Sequence, residues 1–513
     1  PLDSGQLANR RVGGAKGREA TASVRLLICD APPLAGEGTA IEPAAAAAML
    51  GPLPASRSPS AETPPMTLPR TRLRRLAVAA ALLAATFAAS PSVAQESAQA
   101  AAPPPAAPPP AADAPAEDPA PGFVRAEGRR FVRADGSEFR VRGISLGNWL
   151  MQEGYMFRFK RARAPREIEA FIEALVGPED AAEFWRLFHD RYVAEADIRL
   201  IAAAGFTTVR VPLHYGLFVD PTDPTRFEGP GYALLDRLIG WCRAAGLKVI
   251  LDLHAAPGGQ TGVNHDDGPG YPLVFYVPAH RRLTVAFWRH IAERYKDETA
   301  VLGYDLLNEP ISPYHDIDYL NPRLEPLYRE ITAAIREVDP NHPIIFEGAQ
   351  WATSFSMLGP PFADNVGYSY HKFWASLERD SVQEYVDYGN RWDVPIFVGE
   401  TGELTDEWNT GFRTLNERFG LGWSFWPYKY LEATSNVVAV TPPPGWEIIK
   451  EVATREPGRW ADGPMPTRAE ARAILWAYLD AIRLENGTIN AGYLASLGLE
   501  VPAGKGVAVR DGE

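Results

Sequence analysis

The chain has 513 residues, of which 46% are hydrophobic, and its formal net charge at pH 7 is −13. This length is sufficient for a large hydrophobic core in one or more domains. The acidic balance argues against nucleic acid or an anionic membrane surface as a partner, and it fits a neutral or cationic ligand.

Residues 66–94 are typical of a secretory signal peptide. Several arginines from Arg70 onward precede an apolar run, and Ser92-Val93-Ala94 resembles a cleavage site before Gln95. The apolar run is shorter than the roughly 20 residues that span a bilayer, which argues against a transmembrane helix. We therefore expect export to the periplasm or the exterior, with cleavage after Ala94. An uncleaved lipid or inner-membrane anchor is the open alternative.

The remaining chain divides by composition. Residues 1–65 lie upstream of the signal-like segment without sustained periodicity, and we expect the mature protein to lack them. Residues 95–122 are rich in Ala and Pro and predict an extended linker. One folded domain is expected over residues 123–498, with a tail at residues 499–513. Within the mature chain Cys242 is the single cysteine, so we expect no intrachain disulfide and a buried core thiol.

The predicted elements of the domain begin with a hairpin. Residues 123–141 carry turn signals at Glu127-Gly128 and Asp135-Gly136, and this hairpin could close the N-terminal end of a barrel. Eight short apolar runs follow, most of them separated by segments with helical periodicity. Eight strands that alternate with helices predict an α/β fold, the (β/α)8 TIM barrel. The strands are predicted within RVRGISLG, FTTVRVP, LKVILDL, LGYDLLN, HPIIFEG, NVGYSYH, VPIFVGE and LGWSFWP.

Two connections of this barrel are expected to be unusual. The segment between HPIIFEG and NVGYSYH is too short for a full helix, so the fifth helix should be a single turn or irregular. After the eighth strand, TRAEARAILWAYLDAIRLEN predicts a strong amphipathic helix, either the eighth helix of the barrel or an addition to it.

Functional side chains are predicted at the C-terminal ends of seven of these strands. In a TIM barrel those ends share one mouth, where the active site lies. A single Glu or His at a strand end is more often a cap or a turn residue, but a ring of them indicates an active site. The residues of this ring are Arg210, His254, Asn308 with Glu309, Glu347, His371, Glu400 and Trp426.

Two carboxylates across such a mouth suit the cleavage of glycosidic bonds. One acid protonates the leaving oxygen, and a second, ionised carboxylate stabilises or attacks the sugar. Glu309 and Glu400 fit these parts. Arg210 could keep one carboxylate charged, and Asn308 could orient a sugar hydroxyl. Trp426 offers an apolar face on which a sugar ring can stack.

Several motifs resemble those of glycoside hydrolase family 5, the retaining, cellulase-like barrels of clan A. The likeness covers residues 123 to about 460 and is carried by YDLLNEP, VPIFVGETG, GFTTVRVP, VILDLHAAPGG, YSYHKFW and GWSFWPYK. RGISLGNWLMQEGY and DLHAAPGGQTG resemble the exo-acting β-1,3-glucanase branch and its bacterial relatives. The resemblance implies a monomeric enzyme that hydrolyses β-glucosidic bonds of a β-glucan or β-glucoside, with no cofactor or metal.

The resemblance also implies roles for individual residues. Glu309 matches the acid/base and Glu400 the nucleophile. The supporting residues around the reacting sugar are expected to be Arg210, His254, Asn308 and His371. The substrate-binding residues are expected to be Trp426, Glu153, Tyr370 and Trp351. The family pattern usually has a Tyr two residues after His371, and this chain has Phe373, so either Tyr370 or another hydroxyl substitutes or the nucleophile is tuned differently.

Alternative functions remain at this stage. A metal-dependent hydrolase could use His254 and His371, but such barrels usually carry a His-x-His pair on the first strand, where this chain has Ser145 and Gly147. A carbohydrate-binding barrel without catalysis would be expected to lack one of the two carboxylates. A glucosylceramidase-like hydrolase of glycolipids is a third alternative. Linkage and endo or exo action stay open because they depend on loop shapes.

Overall fold

The computed structural model describes residues 122–502 and 507–510. The predicted upstream extension, the signal peptide and nearly all of the linker lie outside these residues. The described chain begins with a three-stranded antiparallel sheet in which the middle strand pairs with both neighbours. The turns contain Gly128 and Gly136 with φ angles of 55° and 81°, a region that favours glycine. The strands are β1 (Arg125–Glu127), β2 (Arg130–Val132) and β3 (Glu138–Phe139).

Eight parallel strands then close into a barrel, which confirms the predicted (β/α)8 fold. The first barrel strand pairs with both the second and the eighth, so the sheet has no free edge. All eight predicted segments form strands. They are β4 (Arg142–Ser145), β5 (Thr208–His214), β6 (Lys248–Ala255), β7 (Val301–Asp305), β8 (Ile344–Glu347), β9 (Val366–His371), β10 (Ile396–Glu400) and β11 (Gly422–Phe425).

Helices separate the barrel strands along the chain. They are α1 (Pro165–Val176), α2 (Pro178–Tyr192), α3 (Glu195–Ala204), α4 (Gly231–Ala245), α5 (Pro278–Tyr295), α6 (Ile317–Arg336), α7 (Ala349–Ala352), α8 (Gln383–Trp392) and α9 (Asp406–Arg418). The connection between β8 and β9 contains only the four-residue α7, in which Gln350 and Trp351 have left-handed φ angles of 52° and 59°. The prediction of a short, irregular fifth helix is therefore confirmed.

The described chain after β11 forms a third sheet and three α-helices. The predicted amphipathic helix begins at a capping box, in which Thr467 N donates to Glu470 Oε2 at 2.8 Å and Glu470 N donates to Thr467 Oγ1 at 3.2 Å. It packs against α1 and α2. The elements are β12 (Lys429–Leu431), β13 (Val438–Val440), α10 (Trp446–Val452), α11 (Arg468–Ala481), β14 (Thr488–Asn490), α12 (Ala491–Ser496) and β15 (Ala508–Arg510).

Ordered structure extends beyond the predicted domain boundary at residue 498. Leu499 is buried in the main core, and Glu500 N donates to Ala204 O at 3.0 Å. Within the predicted tail, β15 pairs with β14 in a parallel ladder. Among the described residues, no helix combines the length and the apolar character needed to cross a membrane.

Candidate active site

The structure brings the predicted ring together at the C-terminal end of the barrel. Glu347, His371 and Glu400 are the last residues of β8, β9 and β10. Asn308 and Glu309 follow β7 by three and four residues, and Asn308 N donates to Leu253 O of β6, which fixes the start of this loop. His254 is the penultimate residue of β6, and Trp426 follows β11 directly.

One placement differs from the prediction. Arg210 is the third of seven residues in β5 and does not end the strand. Its side chain is fully buried and lies among the carboxylates and amide of neighbouring strands. The contacts are Asp252 Oδ2 at 3.2 Å, Asp305 Oδ2 at 3.1 Å, Glu347 Oε1 at 3.0 Å, Glu400 Oε1 at 3.1 Å and Asn308 Oδ1 at 2.8 Å. Arg210 therefore supplies positive charge beneath the mouth, where buried carboxylates need a partner.

His371 bridges the two predicted catalytic glutamates. Its Nδ1 lies 3.0 Å from Glu309 Oε1 and 3.4 Å from Glu400 Oε2, and its Nε2 lies 3.0 Å from Glu347 Oε1. A carboxylate oxygen of Glu309 and one of Glu400 lie within 4.8 Å of each other. Glu309 adopts a left-handed φ of 49°, and its backbone N donates to Glu347 Oε2 at 2.7 Å. The left-handed turn thus places Glu309 opposite Glu400 and is secured by Glu347.

The net pKa shifts of the two glutamates have opposite signs. Burial acts to raise the pKa of Glu309, but the imidazoles of His265 and His371 hold it well below its usual range. Burial raises the pKa of Glu400 to about 8, against the lowering effect of Arg210 and His371. Because both carboxyl groups contact His371, their titrations depend on each other.

An aromatic platform lies beside this pair. The rings of His254 and Trp426 stack with centroids 5.6 Å apart and an angle of 7° between their planes. His254 Nδ1 is 2.8 Å from Asp252 Oδ2, which orients the imidazole. Trp426 Nε1 donates to Tyr155 Oη at 2.6 Å. A Cβ atom at Gly147 would approach the Trp426 ring to 2.5 Å, so this glycine leaves room for the indole.

A second acidic pair flanks the platform. Burial raises the pKa of Glu153 to about 8 and that of Glu403 to about 7. Hydrogen bonds from Tyr155 and Tyr430 act to lower the pKa of Glu403. Glu153 is one of the substrate-binding residues that the family resemblance implies. Two buried carboxyl groups beside an aromatic face can together bind hydroxyl groups of a sugar ring.

Comparisons with known proteins agree with this geometry. The model of the cellulase family, glycosyl hydrolase family 5, matches residues 177–432. A β-xylosidase from Phanerodontia chrysosporium is 28% identical over 344 residues, which are 60% of this chain and 71% of the relative. The chain belongs to glycosyl hydrolase family 5. It is a glycoside hydrolase.

Two further likenesses are weaker. A probable glucan 1,3-beta-glucosidase A from Aspergillus clavatus is 29% identical over 280 residues, which are 52% of this chain and 66% of the relative, slightly less than two thirds of its length. The crystal structure of rutinosidase from Aspergillus niger superposes with a TM-score of 0.48 and 19% identity, and the match covers 62% of this chain and 98% of that one.

Tyr370 lies away from the mouth of this family 5 barrel. Its ring stacks on Tyr385 of α8 with centroids 3.7 Å apart, and its hydroxyl donates to Asn416 of α9. Tyr370 therefore belongs to the packing between β9 and the helices and does not replace the missing tyrosine. Phe373 packs against a small apolar cluster that includes Trp426.

Trp351 is brought next to His265 and Tyr314. Its ring centroid lies 6.4 Å from that of His265 and 5.3 Å from that of Tyr314, which is 78% exposed. Its indole Nε1 is buried without a protein partner. Since His265 contacts Glu309, these aromatic rings lie on the Glu309 side of the pair.

Sequence reasoning missed three residues of this site, namely His265, Glu403 and Tyr155. His265 lies in a loop that the sequence presents as a polar, glycine-rich connection, and its contact with Glu309 spans 44 positions of the chain. Glu403 follows Glu400 by three residues in GETGE, which is a local signal that could have been found.

In the part of the chain that the structure describes, two groups of donor atoms are close enough to contact one ion. One is Glu309, His371 and Glu400, and the other is Asp252, Asp305 and Glu347. The second group already surrounds the guanidinium of Arg210, which makes it unsuited to a cation. The first group is the predicted catalytic pair with His371 between the two carboxylates.

Proposed function

We propose that this family 5 enzyme cleaves β-glycosidic bonds of a β-glucan or β-glucoside with retention of configuration. The observation that carries this proposal is the Glu309 and Glu400 pair, whose facing oxygens lie within 4.8 Å. Retaining enzymes hold their carboxyl groups about 5–5.5 Å apart, whereas inverting enzymes leave about 6.5–9.5 Å for a water molecule. The shorter separation favours direct attack on the sugar.

In the first half of the reaction, Glu400 attacks the anomeric carbon while Glu309 protonates the leaving oxygen. Arg210 donates from Nη1 to Glu400 Oε1 at 3.1 Å and so favours the ionised nucleophile. In the second half, Glu309 takes a proton from water, whose oxygen displaces Glu400 from the anomeric carbon. Asn308, which accepts from Arg210 and lies 3.3 Å from His254 Nε2, is held to contact a sugar hydroxyl.

The substrate class is supported by the relatives and by the platform. The names of two relatives specify a β-xylosidase and a glucan 1,3-beta-glucosidase, and both describe cleavage of a β-linked sugar. The platform of Trp426, with Glu153 and Glu403 beside it, suits one sugar ring with several equatorial hydroxyl groups. Export through the signal-like segment at residues 66–94, which lies outside the described residues, would give access to such glycans and remains part of this proposal.

The nucleophile is tested with Glu400→Ala. Activity on every substrate should fall by more than about 10⁴-fold, and added azide should restore turnover of an activated glycoside with inverted stereochemistry. The matched control is Glu330→Ala, which removes an exposed carboxylate that pairs with Arg281 on the helices. Loss without azide rescue would contradict the role of Glu400.

The acid/base is tested with Glu309→Ala on two leaving groups. Removal of a general acid typically costs about 10²–10⁴-fold, and the loss should appear with a natural glucan. A dinitrophenyl glycoside needs no proton for departure, so its first step should survive as a burst. Assays with β-glucosides, β-xylosides and defined β-glucan oligosaccharides would then identify the preferred sugar. Equal losses with both leaving groups would contradict the assignment.

A further inference from the structure

A histidine outside the predicted set contacts the acid/base. His265 lies in a short 3-10 turn, Asn264–Asp266, in the loop after β6. Its Nε2 is 3.3 Å from Glu309 Oε2, while His371 Nδ1 is 3.0 Å from the other oxygen, Oε1. Each oxygen of the Glu309 carboxylate therefore faces an imidazole nitrogen. In contrast, the oxygens of Glu400 face Arg210 and His371.

Asp266, the residue after His265, holds the loop in its conformation. The carboxylate of Asp266 accepts from the backbone N–H groups of Thr261 at 2.5 Å, Gly262 at 3.0 Å and Gly268 at 2.6 Å. Gly259 has a φ of 77°, and a Cβ atom there would approach Asp266 to 2.8 Å. A buried carboxylate with three N–H donors fixes the turn, so His265 is held in place before substrate arrives.

The charges around His265 are mostly negative. Carboxyl groups of Glu309, Asp266 and Glu153 face it. The imidazole of His254 also lies near His265, and burial lowers the pKa of His254. Burial acts to lower the pKa of His265, but the contact with Glu309 and these carboxylates raises it to about 9. His265 therefore carries a proton at neutral pH next to a carboxyl whose pKa is lowered.

This arrangement conflicts with a general acid that must hold its own proton. Glu309 must be neutral when the leaving oxygen departs, yet its two imidazole neighbours favour its ionised form. A proton on His265 removes the conflict, because it lies within 3.3 Å of Glu309 and can pass to it. Entry of a sugar between the glutamates excludes water and favours the neutral pair over the ion pair.

We propose, on the basis of the hydrolase function above, that His265 is a positioning residue that shares the acid proton with Glu309. In the free site the proton resides on His265 Nε2 opposite the Glu309 carboxylate. On substrate binding it moves to Glu309 Oε2, which leaves a neutral imidazole and a neutral carboxyl. Glu309 then gives the proton to the glycosidic oxygen as that oxygen takes the electron pair of the breaking bond and Glu400 bonds to the anomeric carbon.

The test is the pH dependence of kcat/KM in His265→Asn. In the wild type the acid proton is lost only when the His265 and Glu309 pair loses it, so the alkaline limb of activity on a natural glucan should lie high. Without the imidazole, the proton must reside on Glu309 alone. The alkaline limb should then move to lower pH by at least about one unit, with a loss of about 10-fold or more at pH 8.

Leaving-group dependence separates this role from a structural one. For a dinitrophenyl glycoside, kcat/KM of His265→Asn should stay within about two-fold of the wild type, since departure needs no proton. The matched control is His290→Asn, which removes an imidazole of α5 that stacks on Phe227 in the loop before α4. This control should leave both pH profiles unchanged.

Three outcomes would overturn the inference. One is an alkaline limb that moves to higher pH, as expected if His265 only lowers the pKa of Glu309. Another is an unshifted limb, and the third is an equal loss on both substrates, which indicates a merely structural role. Failure of the proposed function itself is distinguishable, because the wild type would then lack glycosidase activity or Glu309→Ala would show no leaving-group dependence.

Discussion

The inward-facing side chains of the eight strands differ in character between the two ends of the barrel. At the N-terminal end, Phe131 and Phe139 of the small antiparallel sheet pack against inward-facing residues of the strands, among them Ile250, Leu302 and Phe397. At the C-terminal end, the inward positions carry charged and polar groups. Burial stabilises the fold at the first end and costs stability at the second, because buried carboxylates need compensating partners.

This contrast explains how the barrel accommodates a dense set of charges. The Arg210 guanidinium lies between the apolar end and the mouth, where it contacts four carboxylates. Burial of the Arg210 charge is compensated because its guanidinium N–H groups donate to those neighbours. The mouth should therefore depend on Arg210 for stability, whereas individual catalytic groups should be replaceable without loss of the fold.

The largest expected effect is that of Arg210→Met. This change leaves several buried carboxylates without their cation, which typically costs about 3–5 kcal/mol in the free energy of unfolding. We also expect kcat/KM to fall by about 10³-fold, because Glu400 loses a hydrogen-bond donor. Chemical denaturation and steady-state kinetics measure the two effects.

Arg186→Met is the matched control for Arg210. The Arg186 side chain is 59% exposed and pairs with Glu183 on the surface of α2. Surface ion pairs contribute little, so its free energy of unfolding should change by less than about 0.5 kcal/mol. Similar small changes in both variants would contradict the role of Arg210 in holding the mouth together.

Phe131→Ala tests the opposite end of the barrel. The Phe131 side chain is 4% exposed, and its ring packs edge-on against Phe397 with centroids 6.3 Å apart. Truncation should cost about 3–5 kcal/mol in the free energy of unfolding, while kcat/KM at a temperature where the variant stays folded should not change. Glu309→Gln should give the reverse pattern. Loss of kcat/KM in folded Phe131→Ala would show that the two ends are coupled.

A pH-dependent effect of intermediate size is expected for Glu153→Gln. A carboxyl whose folded-state pKa is raised to about 8 binds its proton more tightly in the folded than in the unfolded chain. Stability from this group is therefore lost as pH rises from about 4.5 towards 8. The variant should exceed the wild type by about 1–3 kcal/mol in free energy of unfolding at pH 8, and the two should converge near pH 4.

The control for this pH effect is Glu447→Gln. The Glu447 side chain is 77% exposed and pairs with Lys450 on the surface of α10. Its substitution should leave the pH dependence of unfolding unchanged within about 0.5 kcal/mol. If Glu153→Gln were instead destabilised at pH 8, the carboxylate would have a stabilising partner, and the view of the mouth as a site that costs stability would be wrong.

The alternation of short apolar runs predicted the barrel because strand and helix periods are local properties of the sequence. The motif NEP and the final Glu of β10 likewise located Glu309 and Glu400. His265 could not be located in this way, since its contact with Glu309 depends on the path of a loop that Asp266 organises. The position of Arg210 within β5, rather than at its end, also required the actual strand length.

Tyr370 shows a further limit of prediction from local sequence. It is adjacent to His371 in sequence, but successive side chains of a strand point to opposite faces. His371 therefore faces the mouth while Tyr370 faces the helices, where its hydroxyl donates to Asn416. A hydroxyl that is near the site comes instead from Tyr155, in the loop after β4, which accepts from Trp426 Nε1.

The smallest expected effect is that of Tyr370→Phe. Loss of the hydrogen bond to Asn416 should lower the free energy of unfolding by about 1 kcal/mol, and kcat/KM should stay within about two-fold of the wild type. Tyr155→Phe is the matched change in the mouth. Removal of its hydroxyl deprives Trp426 Nε1 of its acceptor, so kcat/KM should fall by about 2- to 10-fold, the equivalent of one hydrogen bond. If Tyr370→Phe lowered kcat/KM more than Tyr155→Phe did, Tyr370 would act on the catalytic pair after all, and the division between the mouth and the helix-facing side of β9 would fail.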